Sequence, residues 1–487
     1  MTVLQDVPVA LTAKPPATPA PAALRRPPGI GVAGPELLPL DAGQQYRFGF
    51  SMEACIGCHS CEVACAEQNG LPDGTSWRRV GEIEGSVRSA NTTAPVEARR
   101  FHLSMSCNHC LEPLCLQGCP TGAYEKLANG VVAHHADDCI GCQYCTWGCP
   151  YNVPVFQPDR RIVTKCDLCT PRLDAGLAPA CVGACPTHAI TVEPVDVESW
   201  RADHRGADAP ELPPSALTLS TTRIELPDGV LDDTFAASDW NLRPEHPHWP
   251  LVWLTVVTQV AVGVSVTATT SAHRMAAAVL ACVGLVGALA HLGRPAMAWK
   301  AFRGLRTSWL SREVLLLSAY AVLAAASVAA PALAAASAVV GVAGVYASAR
   351  LYVVPGRPAW DTPLTPVRFF ATAAATGPLL TGRAGVAVAG AAVVLAASVA
   401  NWLRLARGRR QPWWGSVRLE LVWFRRPSAL RWAVALAGVA VAATGPAALA
   451  FVLVGAGEVV GRWLFFVTVV PLNMPGSFWR GTAAGHR

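Results

Sequence analysis

"DDCIGCQYCTWGCPYNVP", residues 137 to 154, spaces four cysteines as C-x2-C-x2-C-x3-C and places proline after the last. Such a run wraps three thiolates around one 4Fe-4S cluster and turns the fourth, a helical turn further on, toward a neighbouring cluster. This group is Cys139, Cys142, Cys145 and Cys149, and three more groups surround it: Cys55-Cys58-Cys61-Cys65, Cys107-Cys110-Cys115-Cys119 and Cys166-Cys169-Cys181-Cys185. Proline also follows Cys119 and Cys185, as Pro120 and Pro186. Sixteen ligands predict four clusters. A disulfide framework fits poorly, because C-x2-C pairs are too close for ordinary bridges and such frameworks belong to small secreted domains. Structural zinc uses C-x2-C knuckles too, but rarely draws on four cysteines within eleven residues and has no use for the trailing proline. Short strands such as "GVVAHH" and "AITVEP" beside the cysteine turns fit paired, pseudo-repeated ferredoxin units. Trp147, Tyr144 and Tyr151 could line an electron path, although an aromatic packed on a cluster more often insulates it.

The chain has 487 residues and 17 cysteines, and its two halves differ in kind. Residues 1 to 245 hold 18 Lys+Arg and 29 Asp+Glu, whereas 246 to 487 hold 21 Lys+Arg and four acids, Glu313, Asp361, Glu420 and Glu458. An acidic soluble domain therefore precedes a basic, apolar one. Only Cys282 lies in the second half.

From residue 246 onward, apolar runs long enough to cross about 30 Å of hydrocarbon recur. Eight are expected, near 250–269, 275–293, 313–331, 335–354, 368–382, 384–404, 430–446 and 448–471; the fifth and seventh are short and interrupted by "TGP". Small residues dominate them, which lets helix backbones approach closely. An even number of spans returns the polypeptide to its starting side. The loops on that side carry 18 Lys+Arg and the opposite loops only Arg274 and Arg383, so the positive-inside rule places the amino-terminal domain in the cytoplasm. The pair Arg25-Arg26 suggests a twin-arginine signal, but "PPGIGVAGPELLPL" after it is no apolar core for one. The first 45 residues, rich in Pro and Ala, read as a disordered leader.

The fold class expected is thus an α+β ferredoxin-like domain with four 4Fe-4S clusters, followed by an all-α integral membrane bundle of about eight transmembrane helices. Its divisions are a leader (1–45), the tandem ferredoxin-like domain (46–200), a linker (201–245), the transmembrane anchor with a quinol site (246–475) and a tail (476–487).

Residues 46 to 195, with all four cysteine groups, resemble the four-cluster electron-transfer subunit of molybdopterin oxidoreductases of the dimethyl sulfoxide reductase type. Residues 246 to 475 resemble that family's membrane anchor through "HWPLVWLTVVTQVAVG", "HLGRPAMAWKAF", "SWLSREV", "RLYVVPGRPAW" and "GEVVGRWLFF". The resemblance implies a quinol-linked electron conduit with a separate molybdopterin-containing catalytic subunit as partner. It also implies a pairing of cysteine groups, first with fourth and second with third. Cys55, Cys58, Cys61 and Cys185 would hold one cluster, and Cys65, Cys166, Cys169 and Cys181 the next. Cys107, Cys110, Cys115 and Cys149 would hold the third, and Cys119, Cys139, Cys142 and Cys145 the fourth, nearest the membrane. Some relatives replace one ligand of the third cysteine group by tryptophan and carry a 3Fe-4S cluster there. Cys142 is present, so four complete clusters suited to menaquinol are expected. The alternative is a self-contained quinone-linked redox protein serving a soluble carrier.

His291 ends the second span and Glu313 begins the third, on the same membrane edge. Oxidising a quinol releases two protons with two electrons, and a His with a carboxylate at the interface can accept them. A helix-end cap for His291 and pairing with a loop arginine for Glu313 are the competing readings; in relatives a His and a Glu in matching motifs belong to the quinol site. Glu458 and Arg462, spaced i, i+4 in the last span, read as a structural ion pair. "RLARGRRQPWWGSVRLELVWFRRP" mixes arginine with Trp413, Trp414 and Trp423, which reads as an interfacial anchor rather than a nucleic-acid surface.

Overall fold

A computed structural model describes residues 37–88, 97–227, 230–236, 242, 244–408 and 413–472. The expected tail, Arg25, Arg26 and nearly all of the expected leader lie outside the described residues.

The amino-terminal unit is built from small sheets around cysteine loops. Strand β1 (Gln44–Ser51) alternates side chains so that Tyr46, Phe48 and Phe50 are all buried. Next come α1 (Ser60–Asn69), β2 (Arg79–Arg88), β3 (Glu97–Met105), α2 (Leu114–Gly118), β4 (Tyr124–Lys126), β5 (Val132–His134), α3 (Tyr144–Gly148), β6 (Val155–Gln157) and β7 (Ile162–Thr164). The unit closes with α4 (Thr170–Leu173), α5 (Ala180–Gly183), β8 (Ile190–Asp196), α6 (Val197–Ala202), β9 (Arg223–Glu225) and β10 (Val230–Ala236). The sheet orders are β8-β1-β9, β10-β2-β3, β4-β5 and β6-β7. β1 runs antiparallel to β8, from Gln44↔Asp196 to Phe50↔Ile190, and parallel to β9. The described stretches of residues 201–245, expected as a linker, therefore contribute strands to the unit. β9 pairs with β1, β10 pairs with β2, and Trp200 Nε1 donates to the Ser220 carbonyl at 2.9 Å.

Eight long helices follow: α7 (Trp249–Thr267), α8 (Ser271–His291), α9 (Trp309–Ala329), α10 (Ala334–Tyr352), α11 (Leu364–Leu380) and α12 (Ala384–Arg407), then, after the short α13 (Trp413–Arg418), α14 (Arg425–Thr444) and α15 (Ala447–Val467). Among the described residues, seven are long and apolar enough to cross a membrane. The exception is α11, whose 17 residues rise only about 26 Å. It is held in the bundle by close backbone approach: a Cβ on Gly263 of α7 would meet the Ala373 carbonyl at 2.1 Å, and one on Gly390 of α12 would meet Ala375 N at 2.5 Å.

The soluble unit sits on the ends of α8–α11, and the connecting loops grip it. Arg294 N donates to the Ile140 carbonyl at 3.0 Å, Gly304 N to that of Pro120 at 2.8 Å, and Ser308 Oγ to that of Gly118 at 2.7 Å. Lys300 and Arg303 both reach Asp138 Oδ1 at 2.9 Å, and Arg357 Nη2 donates to the Thr146 carbonyl at 3.2 Å. Glycine is required along this seam. The Arg161 carbonyl is wedged so tightly that a Cβ on Gly141 would meet it at 2.4 Å and one on Gly293 at 2.3 Å. Arg274 and Arg383 lie at the opposite ends of the helices, so the basic loops share a side with the cysteine unit.

Candidate functional site: thiol cages above an apolar cavity

Each cysteine group opens with a C-x2-C loop, and in all four the residue before the second cysteine has positive φ: Gly57 (67°), His109 (44°), Gly141 (68°) and Leu168 (59°). Two are glycine, which adopts this freely; His109 and Leu168 each accept a cost of about 1–2 kcal/mol. The turn folds the backbone over, so that neighbouring thiols converge.

All seventeen cysteines are free thiols, which removes the disulfide reading. Among the described residues no group of three or more His, Cys, Asp or Glu is arranged to hold a metal ion. In each of the four expected sets, one thiol has only cysteines of that set among the cysteines acting on its charge. Cys55 is acted on by Cys61, Cys185 and Cys58; Cys65 by Cys181 and Cys169; Cys115 by Cys149, Cys107 and Cys110; Cys145 by Cys142, Cys119 and Cys139. Cys61 also feels Cys181, and Cys166 feels Cys107, so the first set adjoins the second and the second the third. Tyr124, buried, stands among Cys145, Cys115 and Cys119 and so joins the third set to the fourth.

Burial pushes several of the interior thiols up, Cys65 and Cys110 to about 12, Cys149 and Cys169 to about 11. Without iron they are neutral, and the positive charge of iron is what would convert them to thiolates. Cys58 is the exception: it is exposed, contacts Ser60 Oγ at 3.5 Å, and that hydrogen bond holds it below the usual thiol range. Ile56 and Val63 beside it are also exposed, giving this end of the unit an apolar rim.

Beneath the fourth set lies a cavity of about 430 Å³, and its wall includes Cys142, Tyr144, Trp147, His291, Glu313 and Tyr352. His291 and Glu313, expected at one membrane edge, are thus brought to one cavity. His291 Nε2 donates to the Cys142 carbonyl at 2.9 Å, which leaves Nδ1 as the acceptor nitrogen. Glu313 Oε1 is buried without a hydrogen-bond partner among the described residues. Neither the helix-cap reading of His291 nor an arginine partner for Glu313 is realised. Arg312 instead donates to the Leu305 and Arg306 carbonyls, and among the described residues no ion pair joins Glu313 to an arginine.

Trp147 and His291 also line a larger cleft of about 800 Å³. His248 packs edge-on to Trp147 at 5.1 Å between ring centroids and lies 5.8 Å from His291 and 5.0 Å from His246. Burial, then the neighbouring His291, His246 and Arg357, holds His248 well below the usual histidine range. These two histidines escaped the sequence reading; "EHPHW" at the head of the first span was the signal for them.

Tyr151 is buried on the third set, away from the cavity. Glu458 and Arg462 do not form the expected pair. Thr372 Oγ1 donates to Glu458 Oε2 at 2.6 Å, Arg462 Nη2 donates to Gln259 Oε1 at 2.9 Å, and no ion pair joins the two among the described residues. Each side chain finds its partner on a neighbouring helix instead. Within the tryptophan-arginine segment, whose residues 409–412 lie outside the described residues, α13 and a π-helical turn (Leu419–Trp423) form, with Trp414 and Trp423 exposed.

A thiol-rich ferredoxin unit clamped to a helical bundle defines a membrane-anchored electron-transfer protein. Comparison with known proteins gives the family. Residues 98–194 match the "4Fe-4S dicluster domain" and residues 244–399 the "DMSO reductase anchor subunit (DmsC)". The B subunit of the anaerobic dimethyl sulfoxide reductase of Haemophilus influenzae is 38% identical over 177 residues, 36% of this chain and 86% of that protein. The corresponding B subunit of Escherichia coli K12 is 39% identical over 153 residues (31% and 75%), and the thiosulfate reductase electron transfer subunit PhsB of Salmonella typhi is 36% identical over 160 (32% and 81%). The protein belongs to the family of dimethyl sulfoxide reductase iron-sulfur subunits, fused in one polypeptide to that family's anchor subunit. It is a multi-pass membrane protein that carries iron-sulfur clusters and transfers electrons.

Proposed function

We propose that this protein carries electrons between a quinol, of the menaquinol type, in the cavity below Cys142 and a separate molybdopterin-containing catalytic subunit. Four 4Fe-4S clusters are held by the four thiol sets in the order described, the set of Cys119, Cys139, Cys142 and Cys145 nearest the quinol. One observation carries the reading: His291 lines the cavity and hydrogen-bonds the carbonyl of Cys142, so a single side chain touches both the quinol space and the nearest thiol loop. When bound, the clusters supply one-electron steps whose potential their surroundings set.

The protein's own residues do the rest. His291 Nδ1 and Glu313 Oε1 are free acceptors on the wall, suited to the two hydroxyls of a quinol, and each takes a proton as electrons depart. The remaining wall is largely apolar and excludes water. Val286 and Leu289, exposed on α8, mark the side where a lipid-borne tail enters. At the far end, the exposed Cys58 with Ile56 and Val63 offers the docking rim for the catalytic subunit. The excess of basic residues on the side of the cysteine unit orients that unit to the cytoplasm.

Quinol oxidation by membranes carrying His291→Ala tests the proposal. The expected result is loss of quinol-driven cluster reduction while dithionite still reduces the clusters; a wild-type rate would remove His291 and the cavity from the mechanism. Purification from native membranes tests the partner, and repeated recovery of the protein without a molybdenum protein would refute it.

A further inference from the structure

Arg78 is 2% exposed, and among the described residues no ion pair involves it. Its Nη1 donates to the Ser104 carbonyl and to Ser104 Oγ, both at 3.2 Å, and Nη2 donates to Ser106 Oγ at 2.9 Å. Its Cζ lies 4.5 Å from the Phe48 ring centroid, and Nε is sealed in without a hydrogen-bond partner. A guanidinium buried with only neutral partners is strongly unfavourable unless an anion offsets it. The groups acting on its charge are the thiols of Cys181, Cys61, Cys166 and Cys65, three from the second set and one from the first. Ser104 extends the contact. Its Oγ accepts from Arg78 and lies 3.3 Å from Cys61 Sγ, so the hydroxyl hydrogen is available to that sulfur.

We propose that Arg78 is the shared counter-cation of the first two clusters, raising the midpoint potential of both, with Ser104 as its arm onto Cys61. The proposal rests on the thiol assignment above. Reduction adds one negative charge to a cluster, and a fixed cation in a low-dielectric interior stabilises the reduced form. Because one cation serves both clusters, it stabilises the electron on either side and keeps the step between them nearly level. Arginine suits this role because it stays charged at any physiological pH. For the third set, Lys126 acts on Cys110, Cys107 and Cys115, and Lys165 acts on Cys107 and Cys115 and also on Cys166 of the second set. For the fourth set, the cation acting on Cys139 is Arg294 of the seam. Arg78 is not among the charges acting most on Cys110, Cys115, Cys139 or Cys145.

Redox titration of the holoprotein in membranes, followed by electron paramagnetic resonance, tests this. Arg78→Gln is expected to weaken reduction of the first and second clusters at least about tenfold, a fall of about 59 mV for one electron, and to leave the third and fourth unmoved. Arg78→Lys should restore most of the shift, which a purely structural role would not explain. Ser104→Ala should lower the first cluster alone. Four intact signals with unshifted potentials in Arg78→Gln would overturn the proposal, as would equal shifts in Arg78→Gln and Arg78→Lys. If Arg78→Gln does not accumulate, an unshifted first cluster in Ser104→Ala overturns it. Fewer than four clusters in the wild type would instead refute the thiol assignment, by iron content and signal count.

Discussion

Substituting Gly293 by alanine should uncouple the quinol cavity from the cysteine unit. The added Cβ would lie 2.3 Å from the Arg161 carbonyl oxygen and 3.2 Å from Arg161 Cβ. Gly141 crowds the same oxygen, a Cβ there lying 2.4 Å from it. Relief requires the seam to open by about 1 Å, an overpacking cost of about 1–3 kcal/mol. That opening takes the His291–Cys142 contact (2.9 Å) and the Arg294–Ile140 contact (3.0 Å) out of hydrogen-bonding range. Each is worth about 0.5–1.5 kcal/mol, so the closed seam loses about 2–6 kcal/mol in all. At about 1.4 kcal/mol per decade, its population falls by between tens and about ten-thousandfold. Single-turnover reduction of the clusters by a menaquinol analogue reads this directly, with dithionite as the control that the clusters are present. A wild-type rate in Gly293→Ala would refute the idea that a rigid seam links cavity to thiol loop.

Glu313→Gln should preserve assembly, since Oε1 has no partner to lose, and lower quinol oxidation by about 10²–10⁴-fold; steady-state turnover in membranes checks it. Asp138 is held below the usual carboxylate range, first by its hydrogen bond to Lys300 and then by the charges of Lys300 and Arg303. A depressed folded pKa means that its contribution is complete above the usual carboxylate range and is lost as pH falls through the folded value. The seam should therefore loosen in acid and not at pH 9, a dependence that Asp138→Asn removes from the thermal-unfolding profile. Cys142→Ser should create a 3Fe-4S resonance in oxidised membranes and block electron entry from quinol, with the other clusters still reducible by dithionite. Glu458→Gln should leave quinol oxidation unchanged, because Glu458 is absent from the cavity wall and an amide oxygen can still accept from Thr372; a large loss of rate would refute that placement.

The cysteine spacing and apolar runs made both halves of the fold legible, because ligand geometry and membrane thickness impose fixed lengths on a polypeptide. His291 and Glu313 were legible as a pair for a similar reason: both sit at span ends flanking one loop. What escaped the sequence depends on contacts between distant segments. The strand "RIE" at 223–225 is too short to signal itself and exists only because β1 offers it a free edge. The spacing of Glu458 and Arg462 satisfies the helical pairing rule, yet their side chains hydrogen-bond Thr372 and Gln259 on other helices. Arg78 reads locally as one of two adjacent arginines, "WRRV", and nothing nearby marks it as the buried one.

The parallel pairing of β9 with β1 has a consequence in time. Its register ends at Glu225, so the first sheet cannot close until synthesis has passed that residue, and α7 begins at Trp249, only 24 residues later. At about 5–20 residues per second that interval is roughly one to five seconds. The soluble unit therefore completes its sheet almost as its first membrane helix is being made. Iron loading must either act on an unfinished sheet or reach a unit already tethered at the bilayer. Any machinery that moved a finished, loaded unit across the membrane would have to do so with α7 already emerging.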